Sequence, residues 1–296
     1  MLYKNIISRL NKIYTILTNQ ENQEYLSFFR IGIGVIALLD LFSMGKGFSL
    51  FFSEDKTIIP QKLQFLFSEY FDYLNPIYNY LEKNDIVSEF YTGTLLLYVV
   101  FLIMMILGFL TRFSAISATI LQLIIFKSLA VYNFGYDHFL TASLFYCIIF
   151  PVGKMNSIDN LIFKNNKLIK YPFNYQKIIQ THLTIVYIFA GLAKIVSETW
   201  WNGIAVWRAV STVYDNYFKI PAVILALVGI VTILSETFYP FLVGYSKTKK
   251  ITVFAMISMH VFIAFVLELP FFAAIMIVWN ITSYYEYFYK PKVVYE

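Results

Sequence analysis

Apolar runs long enough to cross a bilayer recur along this chain, and their recurrence limits what it can fold into. A crossing helix needs about 20 mainly apolar residues. Eight stretches meet or approach that length: 26–44, 90–110, 113–132, 139–151, 178–196, 220–244, 251–268 and 271–285. The fourth and eighth are short, so tilt, re-entry or extension by their flanks is open for both. Pro270 divides the last two, because proline removes a helix donor and clashes with the preceding turn. Backbone amides in hydrocarbon must pair within their own segment, and no stretch shows the alternation of a barrel strand. The expected fold is therefore an all-α, polytopic bundle of about eight spans, with seven to nine allowed. Composition agrees: 59% of residues are hydrophobic and only 14% charged. That balance excludes a disordered chain, an ordinary soluble enzyme and a nucleic-acid binder. Cys147 is the single cysteine, so a disulfide-stapled module is excluded too.

Loop charges set the expected orientation. Lys164, Lys167, Lys170 and Lys177 follow the fourth span, and Lys247, Lys249 and Lys250 follow the sixth. The loop after the first span is acidic, carrying Glu54, Asp55, Glu69, Asp72, Glu82, Asp85 and Glu89. Lysine-rich loops stay in the cytoplasm. The N-terminus and the tail 286–296 are then cytoplasmic, and the acidic loop and segment 197–219 lie outside. The net charge of +5 is explained by these retained loops. Residues 1–25 interleave Lys4, Arg9 and Lys12 with Ile6, Leu10, Ile13 and Leu17. They lack the apolar core of a cleavable signal; a surface amphipathic helix and a solvated helix both fit. Residues 26–285 read as one transmembrane domain of a bacterial cytoplasmic (inner) membrane protein, with lipid as its main partner.

Ionisable groups within spans are costly and face the bundle interior, a partner or a wet cavity. Asp40 lies about 21 Å along the first span at 1.5 Å per residue, and Lys127 at nearly the same depth on the third. Lys194, Asp137, His138, Glu198 and Glu268 fall in the same outer half, with His260 below them near mid-membrane. This level set suggests one cavity open to the outer face. Arg30, Arg112 and Glu236 are expected together at the inner boundary, with His182 nearby. Each group also has a plainer reading. Asp40 and Lys127 make a structural pair, Glu198 and Glu268 mark the water interface, and Cys147 fills space. Trp200, Trp201 and Trp207 form an outer aromatic belt. The candidates for chemistry are Lys194, His138 and His260, since a lysine in an apolar wall can serve as a base and a histidine as a relay. No HExxH, CxxC, G-x-S-x-G or Walker A motif occurs, and no Cys/His spacing fits a metal.

Several stretches resemble the HTTM domain, the membrane module shared with vitamin K-dependent gamma-carboxylase. They are Gly108-Phe109-Leu110-Thr111-Arg112-Phe113-Ser114, Tyr136-Asp137-His138, Pro151-Val152-Gly153 and Ser157-Ile158-Asp159. The nearest piece is Ile185-Val186-Tyr187-Ile188-Phe189-Ala190-Gly191-Leu192-Ala193-Lys194, followed by Trp200 and Gly203. Without a further domain, the chain most resembles the sporulation-delaying protein B branch, bacterial membrane proteins linked to maturation or export of secreted antimicrobial peptides. The resemblance implies a base at Lys194, support from His138 and quinone binding near His260. It also implies menaquinol or a related quinol as cofactor, and a secreted peptide precursor and a second maturation protein as partners. Ala193 stands where the carboxylase has a second lysine, and its lumenal domain has no counterpart here, so glutamate carboxylation is the part least carried over. Two functions stay open. One is a quinol-using, carboxylase-like maturation enzyme acting at the extracytoplasmic face. The other is a non-enzymatic export, chaperone or immunity component in which Lys194 pairs with Asp137, Glu198 or Glu268.

Overall fold

Hydropathy and helix stops explain most of the architecture. The computed structural model describes residues 24–52, 70–127, 132–163, 174–211 and 220–289, and every regular element among them is helical. The chain divides into two compact units, Gln23–Lys167 and Leu168–Glu296. Of the N-terminal segment 1–25, only Glu24 and Tyr25 lie within the described residues, where they open the first helix. Of the C-terminal tail, Lys290 onward lies outside them.

In Gln23–Lys167, the long helices are α1 (Glu24–Met44), α4 (Val87–Leu107), α5 (Thr111–Lys127) and α6 (Gly135–Ile149). The short helices α2 (Ser49–Phe52), α3 (Phe71–Lys83) and α7 (Ile158–Phe163) complete the unit. α4 packs on α1 and α5, and α6 packs on α5 and α1, so four rods close around one core. Phe29, Ile33, Tyr98, Leu102, Met105 and Leu144 fill it, all fully buried.

In Leu168–Glu296, α8 (Tyr175–Ile195) packs against α11 (Ala222–Thr237), α12 (Tyr239–Gly244) and α14 (Pro270–Ser283). α13 (Ser246–Val266) packs on α12 and α14. Pro270 occupies the first turn of α14, where its missing N–H costs nothing, and it separates α13 from α14 as its chemistry requires. The run 220–244 is broken at Phe238 into α11 and α12.

Among the described residues, four helices are long and apolar enough to cross a membrane: α1, α4, α8 and α13. α5, α11 and α14 are shorter apolar helices. Their outward faces carry large bare side chains, including Phe42, Leu96, Phe189, Val231 and Phe265. Water would penalise that surface heavily, and lipid would not. The protein is thus membrane-embedded, and all-helical among the described residues.

The first unit is tied by one buried cation. Arg30 is fully buried on the inner face of α1. Its Nη1 donates to the carbonyls of Met105 and Ile106, its Nε to Val152 O at 3.1 Å and its Nη2 to Asn156 O at 2.7 Å. The first two carbonyls belong to the last turn of α4, where helical partners have run out and the dipole is negative. Gly108 ends that helix at φ +70°, and a Cβ there would come within 2.7 Å of Arg30 Nη1. Across the turn, Asp159 caps α5: its carboxylate accepts from Leu110 N at 2.8 Å, Thr111 N at 2.8 Å and Thr111 Oγ1 at 2.7 Å. Ser27 Oγ fixes the same loop by donating to Met155 O at 2.7 Å. Gly108, Thr111, Val152, Gly153, Ser157 and Asp159, singled out by resemblance, therefore converge on a structural joint.

This overturns the expected cluster of Arg30, Arg112 and Glu236. Arg112 is exposed, Glu236 pairs with Lys194, and four backbone carbonyls satisfy Arg30 instead.

Partial burial works to raise the Asp159 pKa, but the Thr111 hydroxyl, the Thr111 and Leu110 amides and Arg30 outweigh it and hold it below the usual carboxylate range. A depressed folded pKa contributes stability above the unfolded value, near 3.9, which is lost as pH falls through the folded value. The melting temperature in detergent should therefore fall on acidification below about pH 4, and Asp159→Asn should blunt that fall. Equal acid sensitivity in the two proteins would remove the cap's electrostatic role. Arg30→Lys keeps the charge but loses the fork, and should destabilise by about 3 kcal/mol in thermal unfolding.

Candidate functional site

The fold places Lys194 in the last turn of α8 and Glu236 in the last turn of α11. Their side chains are 18% and 8% exposed, and Lys194 Nζ donates to Glu236 Oε2 at 2.6 Å. A short pair of this kind answers the cost of placing either charge in an apolar wall. Lys194 Nζ also reaches Ala190 O at 3.5 Å and lies 5.0 Å from the ring centroid of Trp200. Its expected partners Asp137, Glu198 and Glu268 are not those it takes. Glu198 and Glu268 are exposed, as interface markers should be.

The reason is a fold-back after α8. α8 ends at Ile195, and α9 (Glu198–Trp201) and α10 (Ile204–Ser211) then pack along α11 rather than standing clear as an outer loop. Gly203 meets Leu225 and Ala226, and Gly229 meets the Trp200 carbonyl. No side chain fits at Gly229, so the two backbones touch there. α11 therefore starts beyond the end of α8, and Glu236, about 21 Å along it, descends to the level of Lys194. Depth counted from span ends placed Glu236 at the inner boundary because it took 197–219 as an external loop. Trp200 consequently covers the ammonium, while Trp201 and Trp207 remain exposed, at 42% and 55%.

Below the pair lies a second group of polar side chains. Gly191 lets the Thr237 hydroxyl approach α8 closely. Tyr187, one turn further down, accepts a 2.8 Å hydrogen bond from Asn280 Nδ2, which also donates to Met276 O at 2.9 Å. The Tyr187 ring stands 4.5 Å from Tyr239 and 6.2 Å from His260. His260 is 2% exposed, and its Nδ1 is 2.8 Å from Met256 O. Lys194 and His260 lie within electrostatic reach of each other in this unit. Sequence reading missed Tyr187, Asn280 and Glu236 as members. Asn280, an amide alone in an apolar run, was the available signal.

His138 and Asp137 belong to the other unit. His138 is exposed at the start of α6. Asp137 caps that helix, its Oδ2 accepting from Phe134 N at 2.9 Å. Asp40 on α1 faces the Tyr136 hydroxyl, with Asp137 close enough to interact. The Lys127 side chain, and with it an Asp40–Lys127 pair, lies outside the described residues. His182 sits edge-on to Trp279 at 4.9 Å, a packing role. Among the described residues, no group of three or more His, Cys, Asp or Glu side chains could hold a metal ion.

No family model matches this chain, and none of the curated proteins or solved structures compared with it is significantly similar.

Removing one member of the Lys194–Glu236 pair strands the other. Lys194→Met and Glu236→Leu should each destabilise by about 3 kcal/mol, and the double variant should recover most of that loss. Thermal unfolding of the four proteins in detergent checks the cycle, and additive losses would mean that the pair is not coupled.

Proposed function

We propose that this protein is a membrane-embedded maturation factor for a secreted antimicrobial peptide precursor, acting at the extracytoplasmic face through proton transfer at Lys194. The observation that carries the reading is the 2.6 Å contact of Lys194 with Glu236 inside an apolar helix pair. A charged ammonium is no base. When the proton passes from Lys194 Nζ to Glu236 Oε2, a neutral amine beside a neutral acid results. In a low-dielectric site such a neutral pair competes with the ion pair. The amine can then take a proton from a bound group, and Glu236 can return its own. His260 and Tyr187 border the same region and would orient that group.

The quinol proposed as cofactor, menaquinol or a relative, supplies reducing electrons and an acidic hydroxyl when bound. The donor set fits it: Lys194 and Glu236 can receive a hydroxyl proton, and the partly exposed Trp200 ring offers a flat apolar face. The bacterial inner membrane, a second maturation protein and a crossing number of eight belong to the same proposal. They rest on resemblance, loop charge and the apolar helices.

A second reading is favoured by the same contact. An ion pair sealed this tightly also suits a non-enzymatic export, chaperone or immunity component, whose Lys194 is a fixed cation. Arginine separates the two, because it stays charged. For the maturation enzyme, Lys194→Ala and Lys194→Arg should both abolish the mass change in the secreted peptide when compared at equal amounts of inserted protein. Mass spectrometry of peptide from cells with and without each variant reads this directly. Normal maturation with Lys194→Arg would favour the fixed cation, and normal maturation with Lys194→Ala would remove Lys194 from the function.

A further inference from the structure

The polar side chains of the Leu168–Glu296 unit do not stop at the Lys194 centre. They continue down α8 as one stripe. Lys194, Gly191, Tyr187, Gln180 and Gln176 are spaced by three, four, seven and four residues, so they share one helix face. From Lys194 to Gln176 the stripe covers about 27 Å at 1.5 Å per residue, close to the thickness of a hydrocarbon core. Partners from α11, α12 and α14 meet it at each level. Glu236 and then Thr237 stand at the top. Tyr187 takes its bond from Asn280 and packs at a tilt against Tyr239, whose hydroxyl donates to that of Tyr284 at 3.4 Å. At the far end Gln180 Nε2 donates to Ser283 O. Gln176 Nε2 donates to the same carbonyl at 3.2 Å and to Glu286 Oε2 at 2.9 Å.

A second observation makes this more than packing. In this unit, the buried side-chain polar atoms without a protein hydrogen-bond partner, among the described residues, are Thr237 Oγ1, Asn280 Oδ1, Thr282 Oγ1 and Ser283 Oγ. Three of them, Thr237 Oγ1, Asn280 Oδ1 and Ser283 Oγ, lie along this stripe, while Thr282 stands on the opposite side of α14 from Asn280. Each such atom costs about 1–3 kcal/mol if nothing meets it, and the concentration of three in one line is hard to explain by chance. Water, with its 2–4 hydrogen bonds, is the smallest group that satisfies such atoms.

We propose that this stripe is a hydrated proton path joining the Lys194–Glu236 pair to the membrane face on which α8 begins. Protons move along it by exchange between hydroxyls, amide-bound water and the terminal carboxylate Glu286, with no net bond made or broken. The path rests on the reading of Lys194–Glu236 as a proton-handling pair, and gives it a route for resetting after each transfer.

The test needs no peptide substrate. Full-length protein is reconstituted into vesicles enclosing the pH dye pyranine, and a potassium diffusion potential set with valinomycin drives protons inward. Wild-type protein should acidify the lumen faster than protein-free vesicles. Thr237→Val removes one unpartnered hydroxyl at constant shape, so it should keep or raise thermal stability while lowering the flux. Asn280→Leu should return flux to the protein-free rate. Phe189→Leu, on the bare outer face of α8, should leave flux unchanged. Wild-type flux at the protein-free rate overturns the path, and so does undiminished flux in a folded Thr237→Val protein. Peptide maturation is read separately, so loss of maturation in Lys194→Ala with no proton flux in wild type would sink the path and leave the maturation reading standing.

Discussion

A charge in hydrocarbon must find its opposite or a ring of dipoles, and this constraint organises both units. In Leu168–Glu296 the answer is Glu236. For that carboxylate to reach Lys194, α11 has to begin beyond the end of α8, which in turn requires the chain to fold back through α9 and α10. The glycine contacts at 191, 203 and 229 make the approach possible by removing side chains where backbones meet. Pair, fold-back and glycines form one solution. Changing any member alone leaves the others strained or unsatisfied.

In Gln23–Lys167 the answer is different in kind. Arg30 takes no carboxylate in direct contact; it spends its fork on four backbone carbonyls, two of them at the end of α4. Asp159 serves the opposite pole, at the start of α5. One cation and one anion thus finish two helices on either side of the turn at Gly108. Gly108, Thr111, Gly153, Ser157 and Asp159, which drew attention in the sequence, are accounted for here by architecture.

Much of the fold was legible. Apolar length located the helices to within a few residues, and Pro270 marked a real boundary. The site was legible in part. Lys194 and His260 stood out in the sequence as ionisable groups within apolar runs, and they lie within electrostatic reach of each other. Glu236 was misplaced because helix depth was counted from assumed span ends, and the return of 197–211 along α11 carries no hydropathy signature of its own. Arg30 was misread because its partners are peptide carbonyls, which every residue possesses and no sequence advertises. Asn280 was overlooked because a single amide barely dents the hydropathy of an apolar run, although its isolation was the clue.

The break that ends α8 also has a cost that an indole meets. Trp201 Nε1 donates to Ile195 O at 2.8 Å, so a ring first assigned to anchoring at the lipid boundary stands in for a missing peptide group. The helix can stop there because a side chain completes its ladder. A phenyl ring in that place would keep the bulk and lose the donor, leaving a bare oxygen at the very turn that carries Lys194.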